Sequence, residues 1–215
     1  MKILANDGIS KSGIDALEKV GFEVITTKVA QEQVANFINK NDIGVLLVRS
    51  ATKVRKDIID ECPSLKIIGR GGVGMDNIDV EYAKSKGIHV INTPASSSES
   101  VAELVFAHLF TGVRFLHDSN RNMPLEGDTH FEDLKKAYAK GIELRGKTLG
   151  IIGMGRIGKA VARMAIGLGM KVIYSDMHIP HKDLKIHFFD GQTISISLPS
   201  QPLESLFASS DFITL

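Results

Sequence analysis

Short apolar runs alternate with longer stretches of helical period along roughly the first 90 residues of the chain. The short runs are rich in β-branched residues, and the longer stretches repeat apolar residues every three or four positions. This pattern predicts parallel strands joined by crossover helices. The predicted strands cover residues 2–5, 23–26, 44–48, 66–69 and 89–91, and the predicted helices cover 11–20, 31–39, 55–61 and 80–86.

A long helix is predicted next, from Ser96 to about Asn120. Serines followed by a glutamate can accept hydrogen bonds from the free amides of its first turn. The charged stretch 122–146 contains proline and glycines, which predicts a connecting segment with little helix at its start. A second α/β unit begins at Lys147, and the alternation at 193–198 is compatible with either an edge strand or a loop.

Composition narrows the class of protein. The 215 residues are 43% hydrophobic, and 26 basic and 25 acidic residues give a formal charge of +1. No basic face for nucleic acid is expected from this balance, and no apolar run approaches the ~18 residues of a membrane span. A single cysteine and an early polar N-terminus predict no internal disulfide and no signal peptide. We expect a cytoplasmic protein that acts on a small molecule and binds no metal.

One apolar strand runs directly into the pattern Gly153-x-Gly155-x-x-Gly158, and an amphipathic helix follows. In a pyrophosphate site the first glycine makes a tight turn, the second lets the ligand approach, and the third lets helix and strand pack closely. A bare glycine triplet is a weak signal, but another strand at 171–174 has the required spacing. The alternative is a strand-to-helix turn without a nucleotide.

The strand at 171–174 leads to Asp176, about 20 residues after the last glycine of the triplet. A carboxylate at this position accepts both ribose hydroxyls of NAD and repels the 2′-phosphate of NADP. NAD is therefore the predicted cofactor, although His178 and Lys182 leave NADP as an alternative.

Two further polar segments follow strands of the first unit. Arg49 and Ser50 come after the strand 44–48, and a glycine-rich turn at 69–74 comes after the strand 66–69. Exposed amides in such a turn can hold an anion. These segments are compatible with a small-anion pocket, and equally with a solvated loop and a plain turn.

Several ordered motifs resemble those of the D-isomer-specific 2-hydroxyacid dehydrogenases. They are VRSATK at 48–53, IGRGGVGMDNID at 68–79, VINTP at 90–94, VAE at 101–103 and LRGKTLG at 144–150, followed by the glycine triplet. The resemblance implies an α/β fold with two doubly wound parallel-sheet domains. Residues 1–95 correspond to a flavodoxin-like substrate domain. Residues 96–215 correspond to a Rossmann NAD-binding domain that is incomplete here, and their segment 96–146 is implied as a linker and the contact of a homodimer.

The resemblance also implies roles for individual residues of the first domain. Arg49 and Ser50 would hold the anionic end of the substrate, and the backbone amides of Gly72, Val73 and Gly74 would hold its carboxylate. Val73 would also lie near the nicotinamide.

In the second domain, Gly153, Gly155 and Gly158 would form the nucleotide loop. Arg156 and Ile157 would contact the pyrophosphate, and Asp176 would bind the adenosine ribose.

The implied reaction is oxidation of D-3-phosphoglycerate to 3-phosphohydroxypyruvate, a step of serine biosynthesis, with hydride transfer to NAD. In the family the catalytic arginine, acidic residue and histidine follow the equivalent of Leu215, so we expect no catalytic residue within 1–215 and little turnover. Glyoxylate, hydroxypyruvate or lactate as substrate, or an NAD-responsive protein without catalysis, remain alternatives. The chain departs from the family pattern because it lacks a linker tryptophan and has a longer segment between 176 and 211.

Overall fold

The computed structural model describes all residues, 1–215, and they form two compact units, Met1–Ser97 and Ser98–Leu215. Both units combine parallel strands with helices, which confirms the predicted α/β class. None of the helices combines the length and the apolar character needed to cross a bilayer.

The first unit contains one five-stranded parallel sheet with the order β2-β1-β3-β4-β5. Its strands are β1 (Lys2–Ala5), β2 (Glu23–Ile25), β3 (Ile43–Val48), β4 (Ile67–Arg70) and β5 (His89–Asn92). Its helices are α1 (Lys11–Lys19), α2 (Val34–Asn41), α3 (Lys56–Glu61) and α4 (Val80–Ser85), and a short 3-10 turn, Gln31–Gln33, precedes α2. Every strand and helix predicted for this unit is present, with small shifts at the ends.

The core of this unit lies between the sheet and its helices. Strand residues such as Leu4, Leu46 and Ile68 are completely buried, and Ile38 of α2 is buried with them. Removing this apolar surface from water supplies the main favourable free energy of folding. The strand order reverses direction between β1 and β3, and in open parallel sheets the crevice at the carboxyl ends beside such a reversal is the usual ligand site.

The second unit contains a three-stranded parallel sheet with the order β10-β6-β7. Its strands are β6 (Thr148–Ile152), β7 (Lys171–Ser175) and β10 (Phe212–Thr214), and an antiparallel hairpin is formed by β8 (His181–His187) and β9 (Thr193–Pro199). Its helices are α5 (Ser98–Val113), α6 (Leu116–Glu126), α7 (Phe131–Tyr138), α8 (Arg156–Gly167) and α9 (Leu203–Ser209).

The prediction of a single helix that reaches Asn120 is wrong, because α5 ends at Val113 and a separate helix follows. Phe115 adopts a left-handed conformation with φ of 53°, which an α-helix cannot continue through. The amide of Ile142 donates to the carbonyl of Val113 at 3.0 Å and so satisfies the end of α5. The Phe115 ring lies 6.3 Å from that of Tyr138 in α7. Contacts distant in sequence therefore set the break.

The segment after this break is more helical than its composition indicates. Helix α6 continues through Pro124 to Glu126, and α7 follows at Phe131–Tyr138. The side chain of Asn122 donates to the hydroxyl of Tyr138 at 2.9 Å and joins the two helices. The prediction of little helix at the start of 122–146 is therefore wrong.

The segment between Asp176 and α9 forms the β8–β9 hairpin. The alternating residues 193–198, for which the sequence left a strand or a loop open, form a strand. This strand pairs along its length with His181–His187. Leu184 of β8 is 1% exposed and belongs to the core of this unit, whereas Phe189 at the tip is fully exposed. The hairpin thus covers part of the core with one face.

Candidate nucleotide-binding and anion sites

The glycine triplet joins β6 to α8. Gly153 has φ of +96°, a conformation that a residue with a side chain adopts only with strain, and its amide donates to the carbonyl of Ser175 at 2.8 Å. Gly155 is the N-cap of α8, which begins at Arg156. The chain therefore turns sharply from the carboxyl end of β6 into the start of a 12-residue helix.

The start of α8 presents unpaired backbone donors. The amides of Gly155, Arg156, Ile157 and Gly158 have no hydrogen-bond acceptor within the chain. Gly155 and Arg156 are exposed, Ile157 is half-buried and Gly158 is buried, so the first two donors are the most accessible from solvent. Free amides together with the positive end of the helix dipole favour a phosphate group at this position.

The second and third glycines of the triplet differ in their surroundings. A Cβ atom built on Gly155 would meet nothing within 4 Å, whereas one built on Gly158 would lie 2.1 Å from the carbonyl oxygen of Gly153. Gly158 is therefore required for close packing of α8 on the loop. The open space beside Gly155 is room for a pyrophosphate, and these residues fit a dinucleotide.

Asp176, at the end of β7, is hydrogen-bonded to the glycine loop. Its Oδ2 accepts from the amide of Met154 at 2.7 Å, and its Oδ1 accepts from the amides of His178 and Ile179 at 2.8 and 3.0 Å. The bonds from His178 and Met154 lower the pKa of this carboxyl below its usual range. Asp176 is thus ionised at neutral pH. Its Oδ1 already accepts two hydrogen bonds, whereas Oδ2 accepts one and keeps acceptor capacity for a ribose hydroxyl.

The first unit contains a cavity of about 730 Å³ at the carboxyl ends of β1, β3, β4 and β5. Its polar lining includes Asp7, Arg49, Arg70 and Asn92. Arg49 is exposed, and its hydrogen bonds involve only its amide and carbonyl, so its guanidinium has no partner within the chain. It is therefore the cation of this cavity that is available to a ligand.

The side chain of Arg70 has internal partners instead. It is 13% exposed, and its Nη1 donates to the carbonyl of Gly74. Its Nε donates to the carbonyl of Arg49 at 3.4 Å, and its Nη2 lies 3.7 Å from Asp76. Arg70 consequently joins the loop after β3 to the glycine turn after β4.

In the glycine turn, the carbonyls of Gly72, Val73 and Gly74 are bound, and two of the three amides of these residues are free. Thr93 donates to the carbonyl of Gly72 at 3.1 Å, and Asn92 donates to that of Val73 at 2.7 Å. The amide of Gly72 donates to Arg70 at 3.0 Å, whereas the amides of Val73 and Gly74 have no acceptor within the chain. Of the three amides expected to bind a carboxylate, the structure leaves these two free.

Several residues that build this site were not identified from the sequence. Asp7, Asn77 and Asn92 bond the backbone of the two loops, although only the loops themselves have a recognisable pattern. A polar residue directly after a buried strand was the available signal for Asp7 and Asn92. No cluster of three or more His, Cys, Asp or Glu side chains has the arrangement of a metal site.

Comparisons with known proteins identify relatives over the whole chain. The family model for D-isomer specific 2-hydroxyacid dehydrogenase, catalytic domain, matches residues 3–211. The chain is 40% identical to D-3-phosphoglycerate dehydrogenase of Methanocaldococcus jannaschii and 41% identical to hydroxypyruvate reductase of Thermotoga maritima, in each case over 100% of the chain. It spans 38% of the length of the first relative and 64% of the second.

Among solved structures, one similar protein is the NAD+-bound 3-phosphoglycerate dehydrogenase of Entamoeba histolytica. The match has a TM-score of 0.68 and 30% sequence identity, and it covers 99% of this chain and 61% of that one.

Proposed function

Because the chain belongs to the D-isomer specific 2-hydroxyacid dehydrogenase family, we propose that residues 1–215 hold the cofactor-binding and substrate-anchoring parts of an NAD-dependent dehydrogenase. Unit Ser98–Leu215 binds NAD, and unit Met1–Ser97 binds a D-2-hydroxy acid. The observation that carries this proposal is the set of unpaired amides at the start of α8 beside the ionised Asp176.

NAD, when bound, supplies the acceptor for a hydride from the carbon that bears the substrate hydroxyl. The chain's own contribution is to hold the two molecules. The amides of Gly155, Arg156 and Ile157 bind the pyrophosphate, and Oδ2 of Asp176 accepts a hydrogen bond from the adenosine ribose. An ionised carboxylate at that position repels a 2′-phosphate, which favours NAD over NADP.

Titration calorimetry with NAD and NADP tests the cofactor. We expect NAD to bind more tightly than NADP, and Asp176→Asn to weaken NAD binding about tenfold, equivalent to ~1.4 kcal/mol. Asp57→Asn is the matched control, because Asp57 is exposed in α3 of the other unit and has no hydrogen bond to lose. Equal affinity for NAD and NADP, or no binding of either, would contradict the cofactor assignment.

We propose D-3-phosphoglycerate as the substrate and 3-phosphohydroxypyruvate as the product, a step of serine biosynthesis. Arg49 and Ser50 hold the phosphate end, and the free amides of Val73 and Gly74 hold the carboxylate. The 40% identity with the Methanocaldococcus jannaschii D-3-phosphoglycerate dehydrogenase supports this substrate. The 41% identity with the Thermotoga maritima hydroxypyruvate reductase favours hydroxypyruvate as a second candidate.

A binding comparison separates these substrates. With NAD present, 3-phosphoglycerate should bind at least about tenfold more tightly than D-glycerate, and Arg49→Ala should remove most of that difference, because charge-assisted bonds to phosphate are the stronger ones. Equal affinities would favour the unphosphorylated acid. We assign no catalytic residue within 1–215, so NADH formation by this chain alone would contradict that part of the proposal.

We also propose a cytoplasmic homodimer whose contact lies in segment 96–146. Large apolar side chains of this segment are exposed, among them Leu104, Leu125 and Phe131. Replacing Leu125 and Phe131 by glutamate should give a monomer in sedimentation velocity, since charges would then have to be buried in the contact. A dimer that survives both changes would place the contact elsewhere.

A further inference from the structure

The loop 49–53 presents Arg49 to the cavity, and two side chains from other parts of the unit hold its backbone. Asp7, after β1, accepts hydrogen bonds from the amides of Arg49 and Thr52 at 2.6 and 3.0 Å. Asn77, after the glycine turn, donates to the carbonyls of Arg49 and Thr52 at 2.8 and 2.6 Å. For both loop residues, the amide is bound by one side chain and the carbonyl by the other.

Two more contacts complete the fixation of this loop. The hydroxyl of Thr52, which is 4% exposed, donates to Asp7 at 2.6 Å and accepts from Asn6 at 2.8 Å. Gln31 pairs with both the amide and the carbonyl of Lys53, at 2.9 and 2.8 Å. The backbone is therefore restrained at both ends of the loop, while the guanidinium of Arg49 stays unpaired.

The position of Asp7 is unexpected for an anion site. Its carboxylate belongs to the lining of the same cavity as Arg49, where a negative charge alone would repel a phosphate or carboxylate. Both oxygens, however, are bound by donors of the loop. The contacts of Asp7 therefore indicate a role in shaping the loop rather than in contacting the ligand.

Asn77 has a buried side-chain oxygen without a partner, and the contacts of its NH2 group account for this arrangement. Asn77 is 5% exposed, and its Oδ1 is buried with no hydrogen-bond partner. A buried unpaired oxygen is destabilising, so stability alone would favour a different side chain. The amide cannot be reversed to relieve this, because its oxygen would then face the carbonyls of Arg49 and Thr52.

We propose that Asp7 and Asn77 are positioning residues, which fix the loop 49–53 so that Arg49 is held ready for the anionic group of the substrate. Preorganisation of this kind lowers the entropy lost on binding. The inference rests on the proposed substrate-anchoring role of unit Met1–Ser97. Asp7 and Asn77 would affect substrate binding only by holding the backbone of the loop 49–53.

Asp7→Asn gives a test in which charge and positioning predict opposite results. Removing a negative charge from the cavity should tighten anion binding if Asp7 acts only through its charge. If Asp7 positions the loop, binding should weaken, because asparagine has one acceptor oxygen for the three loop donors that Asp7 binds. We expect 3-phosphoglycerate to bind about tenfold more weakly, while NAD binding to the other unit is unchanged.

Asn77→Asp is the complementary variant of nearly equal size. It should weaken 3-phosphoglycerate binding to a similar extent, since two carbonyls would face a carboxylate in place of a donor. Asp57→Asn is again the control for the charge change in Asp7→Asn. Unchanged NAD affinity in each variant shows that the second unit is intact, and unchanged hydrogen exchange of the β3 amides shows that the first unit has folded.

Hydrogen exchange of the ligand-free chain tests the positioning role of Asp7 without any substrate. In Asp7→Asn the amides of Arg49 and Thr52 should exchange about tenfold faster than in wild type, whereas those of β3 should not change. Failure of the wild-type chain to bind 3-phosphoglycerate would contradict the proposed substrate, and the exchange data would still decide the role of Asp7. Wild-type exchange at both amides in Asp7→Asn would overturn the inference.

Coupling with Arg49 separates positioning from a general structural role. If Asp7 acts through Arg49, Asp7→Asn should have little further effect on 3-phosphoglycerate binding in an Arg49→Ala background. Undiminished weakening in that background, or tighter binding in the single variant, would also overturn the inference.

Discussion

Gly155 and Gly158 belong to one loop but are required for different reasons. Because nothing lies within 4 Å of a Cβ atom at Gly155, Gly155→Ala should leave the free energy of unfolding nearly unchanged and still weaken NAD binding, since the methyl group would occupy the room for the pyrophosphate. Gly158→Ala should lower stability as well, because its Cβ would lie 2.1 Å from the Gly153 carbonyl. Urea denaturation and NAD titration of both variants measure this difference. Equal loss of stability in the two would contradict it.

Asp7 should make the free energy of unfolding of the first unit depend on pH in the acid range. Partial burial raises the pKa of this carboxyl, but hydrogen bonds from the Thr52 side chain and from the amides of Thr52 and Arg49 outweigh that effect and lower it below its usual range. A group with a lowered pKa in the folded state stabilises the fold above its unfolded value of ~3.9, and this stabilisation is lost as the pH falls through the folded pKa.

We therefore expect the free energy of unfolding of wild type to fall more steeply below about pH 4 than that of Asp7→Asn, while wild type is the more stable at neutral pH. Urea denaturation at a series of pH values measures both quantities. Parallel pH profiles for the two proteins would show that Asp7 is not the group responsible.

Individual site residues differ in how far the sequence predicts them. Arg49 and the glycine triplet stand in local patterns, because a turn with special backbone geometry or close packing restricts the residue type at each position. Asp7 and Asn77 could not be assigned in this way, since their partners lie 45 and 25 positions away at Thr52. Such contacts exist only once the strand order brings the ends of the strands together.

At the scale of elements, the β8–β9 hairpin should stabilise the second unit through its inner face alone. Leu184→Ala should cost about 2–5 kcal/mol, since a buried side chain would leave a cavity, whereas Phe189→Ser should change stability by less than about 0.5 kcal/mol. Urea denaturation of the two variants measures the difference. A small effect of Leu184→Ala would mean that the hairpin contributes little to the core.

The elements that the sequence predicts best are those with strong internal period. All five strands of the first sheet were predicted because buried parallel strands form apolar runs between helices of regular period. Strand β8 was missed, because the charged residues of its outer face hide the alternation of Leu184 and Ile186. The end of α5 was missed because tertiary contacts of Phe115 and Ile142 set it.

At the scale of the whole molecule, we assign substrate binding to the first unit and NAD binding to the second. The first has an anion site with one free guanidinium and two free amides, and the second has a nucleotide loop with four free amides. The central claim is that the second unit binds NAD at the start of α8 while the first binds the substrate anion near Arg49.

Amide NMR spectra of the isotope-labelled chain, recorded during titration with NAD and then with 3-phosphoglycerate, test this claim most directly. We predict that NAD shifts the amide signals of Gly155, Arg156 and Ile157, and that 3-phosphoglycerate then shifts those of Val73 and Gly74. Saturable shifts at other residues, with these five signals unmoved, would contradict the account.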